Sequence, residues 1–414
     1  MRKSIVGLMA ALLLITAGFL IFASNDIFEY FLPGEVPVKD VEYEPQVQVP
    51  ENQEKSEVLT GDLTEDLTED LHSDNGAHAD PVSNRNYWPT ENWAESSPDE
   101  QGMDPSILYK VRDNINRDET CLHSLLVVRN GYLVFEEYYN GYDKYKKNAV
   151  QSVTKSIISA LTGIAISEGY LESVDQKVID IFPEYFEDNT DELKEKISIR
   201  HLLTMSAGLR WQQDGEIRNQ WLYSKDRHKY LIGLPMESEP GEVFNYSSGF
   251  AHLMSGIIAK AAGMSTEKLA EIYLFRHLGI SDIQWGTDQN GYTLGNAGLF
   301  MTPRDMAKIG YLFLNDGSWE DKEIIPSEWV RESTEKQIDI GSDFAGYGYY
   351  WWINKINNHE CFFARGYGGQ YIIVIPDVDI VVVITSRWDK EELGPEYFMD
   401  IVGTYVIGSV TLDK

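Results

Sequence analysis

Ser152 and Lys155, in the run Gln151-Ser152-Val153-Thr154-Lys155-Ser156, are the residues of this 414-residue chain whose types and spacing point most directly to chemistry. A hydroxyl is a weak nucleophile at pH 7 and needs a base within hydrogen-bond reach. Three residues apart on a helix, the two side chains share one face. The run that follows, Ile157 to Ile166, is apolar almost all round and lacks proline, and Gly169 stands where a helix would stop. A helix of that kind is buried. Burial and the positive end of the helix dipole both lower a lysine pKa, so Lys155 is expected to be neutral enough to serve as base. The free N–H groups of the same N-terminus, that of Ser152 among them, would receive an oxyanion. Ser-x-x-Lys by itself is short and recurs by chance. Its place on a buried helix and two later stretches give it weight.

The second stretch is Phe244-Asn245-Tyr246-Ser247-Ser248-Gly249, followed by apolar residues at 250, 253, 254, 257, 258 and 261. That spacing predicts a helix closed by Gly263, with Ser247 or Ser248 as its cap. Tyr246 is held just before the cap, where a phenol could relay a proton to a leaving group. The third is Arg365-Gly366-Tyr367-Gly368-Gly369-Gln370, leading into a strand. Glycines there weaken a strand unless something must approach the backbone closely. A substrate carbonyl is one such group, with the Gln370 N–H completing the oxyanion hole; a plain glycine-rich turn is the alternative.

The elements around these stretches read clearly. Asp104 caps a helix that begins at Pro105. Two β-rich runs over 124–139 flank Asn130-Gly131, which predicts a hairpin. From about 169 to 298 the reading is mostly helical. It includes a short helix from Ile199 ending at Gly208 and a long aromatic loop, Arg210 to Pro240, that carries Trp211, Trp221, Tyr223 and Tyr230. A helix is expected over 303–316, strands over 347–353, 361–364, 370–375 and 380–385, and a last helix over 395–407. Strands at both ends with helices between imply an α+β fold, an antiparallel β-sheet flanked by helices with a helical insertion over about 169–298.

Taken together, the three stretches resemble the serine β-lactamase and penicillin-binding protein superfamily, within its class C-like branch of family VIII carboxylesterases and 6-aminohexanoate-dimer hydrolases. The runs Arg200-His201-Leu202-Leu203-Thr204-Met205-Ser206-Ala207-Gly208 and Gly295 to Ala307 are similar too, and the resemblance covers about 86–410. It implies that Ser152 is acylated, that Lys155 is its base and that Tyr246 moves protons. It places Tyr367, Gly368 and Gly369 at the positions of the Lys-Thr-Gly strand, with Gln370 its successor and Ser248 where true class C enzymes carry Asn. Tyr367 in place of Lys removes a partner for a substrate carboxylate. The implied function is a serine hydrolase that cleaves esters or small amides through an acyl-enzyme. A DD-peptidase acting on cell-wall stem peptides and a non-catalytic binding or sensory module on the same fold are the rivals.

Composition narrows the setting. A hydrophobic share of 43% suits a large folded body. Net charge is −31, and residues 25–100 hold 20 acidic residues against Lys39, Lys55 and Arg85. That balance argues against nucleic-acid partners and anionic lipid surfaces. Met1-Arg2-Lys3 followed by an uncharged run from Ile5 to Ala23 reads as a signal anchor or signal peptide over 1–24, so export is expected and membrane contact is confined to that segment. Residues 25–85, acidic and poor in aromatics, read as a disordered linker ahead of a hydrolase domain over 86–414. Cys121 and Cys361 could pair outside the cytoplasm, although two core thiols are the default. Two cysteines and scattered histidines give no metal-ligand spacing, and no cofactor is expected. The small-molecule ester or amide is the one partner the residues imply; oligomeric state is not written in them.

Overall fold

Asn130 and Gly131 both adopt left-handed backbone, φ 51° and 85°, as a two-residue hairpin turn requires. They fold β1 (Leu122–Arg129) onto β2 (Tyr132–Tyr138) in a computed structural model of the chain. Arg85 and residues 87–115, 121–187, 191–341, 344–387 and 395–411 are described. The expected anchor over 1–24 and the expected linker over 25–85, Arg85 excepted, lie outside them. Among the described residues no helix is long and apolar enough to cross a membrane.

After the hairpin come α1 (Val153–Ser167), α2 (Glu216–Tyr223), α3 (Arg227–Gly233), α4 (Ser248–Ala262) and α5 (Pro303–Leu314). The chain then returns to the sheet with β3 (Gly346–Tyr347), β4 (Trp352–Ile356), β5 (His359–Gly366), β6 (Gln370–Ile375) and β7 (Ile380–Ser386), and α6 (Pro395–Ile401) follows. The seven strands make one sheet in the order β2-β1-β7-β6-β5-β4-β3. Every pair in it is antiparallel. The expected α+β architecture is the one observed.

Both faces of the sheet are covered, which explains why its central strands read as unbroken apolar runs rather than as alternation. Leu126, Val128, Ile372, Val374, Val381 and Val383 point to a core shared with α1, α4 and α5. Their neighbours Leu125, Val127, Ile373, Ile375, Val382 and Ile384 point to a second core closed by Leu108, Val111, Phe398 and Val402. Each such side chain stabilises the fold by about 1.5–3 kcal/mol when fully buried. Gly310 lets α5 lie directly on the sheet, because a Cβ there would come within 2.5 Å of Val381. Every residue of α1 from Val153 to Ala165 is buried, as its all-round apolar pattern required.

Several expectations shift in detail. The helix that starts at Ile199 ends at Leu203, because Met205 turns left-handed at φ 57° before Gly208 is reached. The supposed loop 210–240 contains α2 and α3, the latter capped by Asp226, whose side chain accepts from Lys229 N–H. Short helices with an aromatic-rich sequence show little periodicity, so they were illegible. The run 347–353 is two strands, since Tyr350 at φ 62° breaks it between β3 and β4. The last helix is regular only to Ile401 and widens over Val402–Val406. No disulfide joins Cys121 and Cys361, and burial pushes the Cys361 thiol up to about 12.

Candidate active site

The segment entering α1 is tied down by backbone hydrogen bonds. Val150 N–H donates to Leu299 O at 3.0 Å, and Asn148 and Ala149 pair with Met301 and Phe300. Gln151 then takes φ 52°, a left-handed conformation that costs a non-glycine residue on the order of 1 kcal/mol or more. That reversal swings Ser152 to the N-cap position of α1, where it is half-buried. The turn closes through Val153 N–H to Val150 O, Thr154 N–H to Gln151 O and Lys155 N–H to Ser152 O, at 3.1, 3.1 and 3.0 Å. The Ser152 N–H precedes the first of these bonds.

One turn on, Lys155 is buried among apolar neighbours, with its Nζ 2.8 Å from Ser152 Oγ and 3.0 Å from Asn296 O. Burial, and after it the positive charge of Arg218, hold its pKa down to about 7. An ammonium in such a place loses hydration that one carbonyl and one hydroxyl do not replace. The neutral amine is thus well populated at physiological pH.

Tyr246 sits where the second stretch predicted, one residue before the N-cap of α4. Ser247 is that cap and accepts from Phe250 N–H at 3.2 Å. The Tyr246 ring stacks on Trp352 of β4, centroids 5.8 Å apart, and Lys155 Nζ lies 5.0 Å from its centroid. Burial pushes the phenol up to about 12, with the neighbouring Ser152 hydroxyl and the Arg365 charge pulling partly back. At neutral pH the phenol keeps its proton. Of the two candidate bases, lysine is the one that titrates where an enzyme works.

Ser248 is buried, and both its polar groups are taken by Gln213: its N–H donates to Gln213 Oε1 at 3.0 Å, and its Oγ accepts from Gln213 Nε2 at 2.9 Å. Gln213 also accepts from Trp211 Nε1 at 3.0 Å, so one amide ties the stretch before α2 to the start of α4. The third stretch forms the turn between β5 and β6. Gly368 and Gly369 are left-handed at φ 79° and 84°, a conformation glycine adopts without strain. Gly366 makes the close approach: a Cβ there would fall 2.4 Å from Val150 O and 3.1 Å from Gln151 Cβ. The turn is thereby pressed against the segment that carries Ser152. Tyr367 is 75% exposed, and the buried Gln370 side chain is turned away, donating to Gly368 O and Ser386 O.

Ser152, Lys155 and Tyr246 converge, therefore, and the Gly366–Gln370 turn abuts them. Sequence reasoning missed Asn296 and Gln213, one acting through a carbonyl and the other from a stretch without helical periodicity. Among the described residues no cluster of His, Cys, Asp or Glu could hold a metal ion.

The Beta-lactamase family matches residues 123–400, about two thirds of the sequence. The chain belongs to that family. The 6-aminohexanoate-dimer hydrolase of Paenarthrobacter ureafaciens is 26% identical over 303 residues, spanning 66% of this Beta-lactamase family member and 74% of itself. Two solved structures share the fold. A hydrolase with promiscuous acyltransferase activity aligns at TM-score 0.63 and 16% identity over 72% of this chain and 99% of its own. The Beta-lactamase/D-alanine carboxypeptidase of Yersinia pestis aligns at TM-score 0.57 and 17% identity over 74% and 99%. This Beta-lactamase family member is a hydrolase.

Proposed function

We propose that this protein cleaves esters or small amides by acylation of Ser152. Neutral Lys155 takes the proton of Ser152 Oγ as the oxygen attacks the substrate carbonyl. The oxyanion is received by the Ser152 N–H and a backbone N–H of the Gly366–Gln370 turn. Collapse of the tetrahedral intermediate breaks the bond to the alcohol or amine, which leaves with a proton passed through Lys155 and Tyr246. Water then attacks the acyl-enzyme with Lys155 again as base, releasing the acid and restoring Ser152.

The observation that carries this reading is the 2.8 Å contact between Ser152 Oγ and an amine whose pKa is held near 7. Replacing Ser152 with Ala should abolish turnover of 4-nitrophenyl esters and labelling by a fluorophosphonate. Turnover that survives in the variant excludes this site. Export, with the segment 5–23 as anchor or signal and the hydrolase outside the cytoplasm, is part of the same proposal and rests on that segment's composition.

The cell-wall peptidase reading draws support from the 21% identity, over 375 residues, to an Escherichia coli protein named as a D-alanyl-D-alanine carboxypeptidase. Tyr367 where that superfamily places Lys speaks against it. Release of D-Ala from a model stem peptide at rates rivalling ester turnover would reverse the preference.

A further inference from the structure

Helix α4, which presents Tyr246 just ahead of its N-cap, carries a buried histidine that the proposed reaction leaves unused. His252 Nε2 lies 3.0 Å from Asp288 Oδ2, and both side chains are buried. The other oxygen of Asp288 accepts from Asn290 N–H at 2.9 Å and from Tyr292 N–H at 3.0 Å. Burial pushes the Asp288 carboxyl up, but the His252 and backbone donors more than reverse it and leave it below the ordinary carboxylate range. A carboxylate can only accept, so His252 carries its proton on Nε2. Burial lowers the imidazole pKa against the pull of Asp288, which keeps the ring neutral at physiological pH. Its Nδ1 is buried with no hydrogen-bond partner among the described residues, a cost to the fold. His228 of α3 and Trp221 of α2 pack on the ring, with centroids 4.8 and 5.7 Å away.

Asp288 belongs to a hairpin that leads to Lys155. Gln284 and Trp285 pair with Phe300 and Leu299, and Thr287 faces Thr293 nearer the turn. Gly286 N–H donates to Gly298 O at 3.0 Å, while the Gly286 carbonyl accepts from Leu294 N–H at 2.9 Å. Residues 295–297 are thereby left out of the ladder as a bulge, the irregularity that re-aims a backbone beside a site. Asn296 is the middle residue of that bulge, and its carbonyl is the one 3.0 Å from Lys155 Nζ. Gly295 next to it is pressed onto α4, since a Cβ there would fall 2.1 Å from Ala251 O. Ser255, one turn past His252, donates to Thr293 O at 2.7 Å. The hairpin therefore meets α4 at Ala251, His252 and Ser255. Apolar side chains would fill the same space with less desolvation, but they would let the hairpin slide along the helix. Directional bonds at His252 and Ser255 admit one seating.

We propose that His252 and Asp288 are positioning residues for the acylation step: the pair seats the 286–298 hairpin on α4 so that the Asn296 carbonyl meets Lys155. One helix then sets both the phenol of Tyr246 and the carbonyl that holds the base. The pair acts through Asn296 and takes no part in the proton transfers. The inference rests on the serine hydrolase reading and adds to it what fixes the base.

Variants of the full-length protein test it on 4-nitrophenyl butyrate. His252→Leu leaves Asp288 Oδ2 without its donor. It should lower kcat about 10–100-fold while KM stays within about twofold, and hydrogen exchange should quicken over 286–298. His252→Gln keeps an N–H for Asp288 and should recover most of the loss. Ser255→Ala removes the second tie and should lower kcat in the same way, by less. A wild-type kcat in His252→Leu overturns the proposal, whether or not exchange quickens. So does a loss of kcat with exchange over 286–298 unchanged, since the pair would then act by another route, and so does an equal loss in His252→Gln. Should His252→Leu fail to fold, Ser255→Ala decides: a wild-type kcat there, with faster exchange over 286–298, overturns the proposal. Fluorophosphonate labelling of Ser152 in the wild-type protein checks the hydrolase reading separately. Labelled wild type with unaffected variants defeats the positioning role alone, whereas unlabelled wild type defeats both.

Discussion

The carbonyl oxygen of Asn296 lies 3.0 Å from the amine of Lys155, across 141 residues of sequence. In the neutral amine one N–H donates to that carbonyl, which leaves the nitrogen lone pair to accept from Ser152 Oγ–H. The carbonyl thus orients the amine toward Ser152. A backbone oxygen serves this purpose without adding a titrating group.

The pH dependence of kcat/KM on a neutral ester follows. The folded-state pKa of Lys155 is depressed to about 7, chiefly by burial, and only the unprotonated amine is a base. Activity should be low in acid and rise to a plateau above neutrality, with a midpoint near 7. The Tyr246 phenol, pushed up to about 12, should contribute no loss below pH 9. A stopped-flow or plate-reader profile giving a midpoint near 4, the range of a carboxylate, would remove Lys155 from the role.

The same depression bears on stability. In the unfolded chain the lysine binds a proton up to its ordinary value of 10.5, whereas in the folded protein it does so only below about 7. Its contribution is most favourable above 10.5 and is progressively lost as pH falls to about 7. Lys155→Met should therefore be inactive and yet melt at a higher temperature than wild type at pH 7, with the gain shrinking toward pH 10. Thermal unfolding followed by circular dichroism at both pH values checks this.

Gly366→Ala tests the close approach of the β5–β6 turn. The new methyl would meet Val150 O at 2.4 Å, so the turn or the Ser152 segment must move apart. A displacement of that order at a reacting centre lowers turnover by about 10²-fold. Steady-state kinetics on 4-nitrophenyl butyrate, with an unchanged far-ultraviolet spectrum, would show the loss. Wild-type kinetics in the variant would mean that the turn takes no part.

Gln213→Ala removes three hydrogen bonds at once, two shared with Ser248 and one accepted from Trp211. Unsatisfied buried groups of this kind cost about 1–3 kcal/mol each at most. Turnover should fall roughly tenfold while the protein remains folded, with mobility rising in α2. Hydrogen exchange confined to residues 210–224 is the matching readout.

Much of this was legible in sequence where chemistry and periodicity coincide. The Asn130-Gly131 turn, the all-round apolar α1, a serine cap at 247 or 248 and the regular spacing of α4 are each set by local residues, and each appears as expected, with Ser247 as the cap. Ser152, Lys155 and Tyr246 were legible because each stands at the N-terminal end of a strongly patterned helix. Asn296 and Gln213 were not. The first acts through a carbonyl that every residue possesses, and the second through Ser248, far away in sequence. The Gly366 approach shows the same limit: glycine signals that something comes near, but only the fold reveals that Val150 is what does.

The candidate site draws Ser152 from before the midpoint of the chain, Tyr246 from just past it and Gly366 from near the end, in the β5–β6 hairpin. Helices α1 and α4 can form early from local signals, whereas joining the turn at Gly366 to the Ser152 segment waits on long-range closure, the slow part of folding. Refolding from denaturant should therefore show helical ellipticity returning first and acylation by a fluorophosphonate last, which would make covalent labelling a clock for the final step.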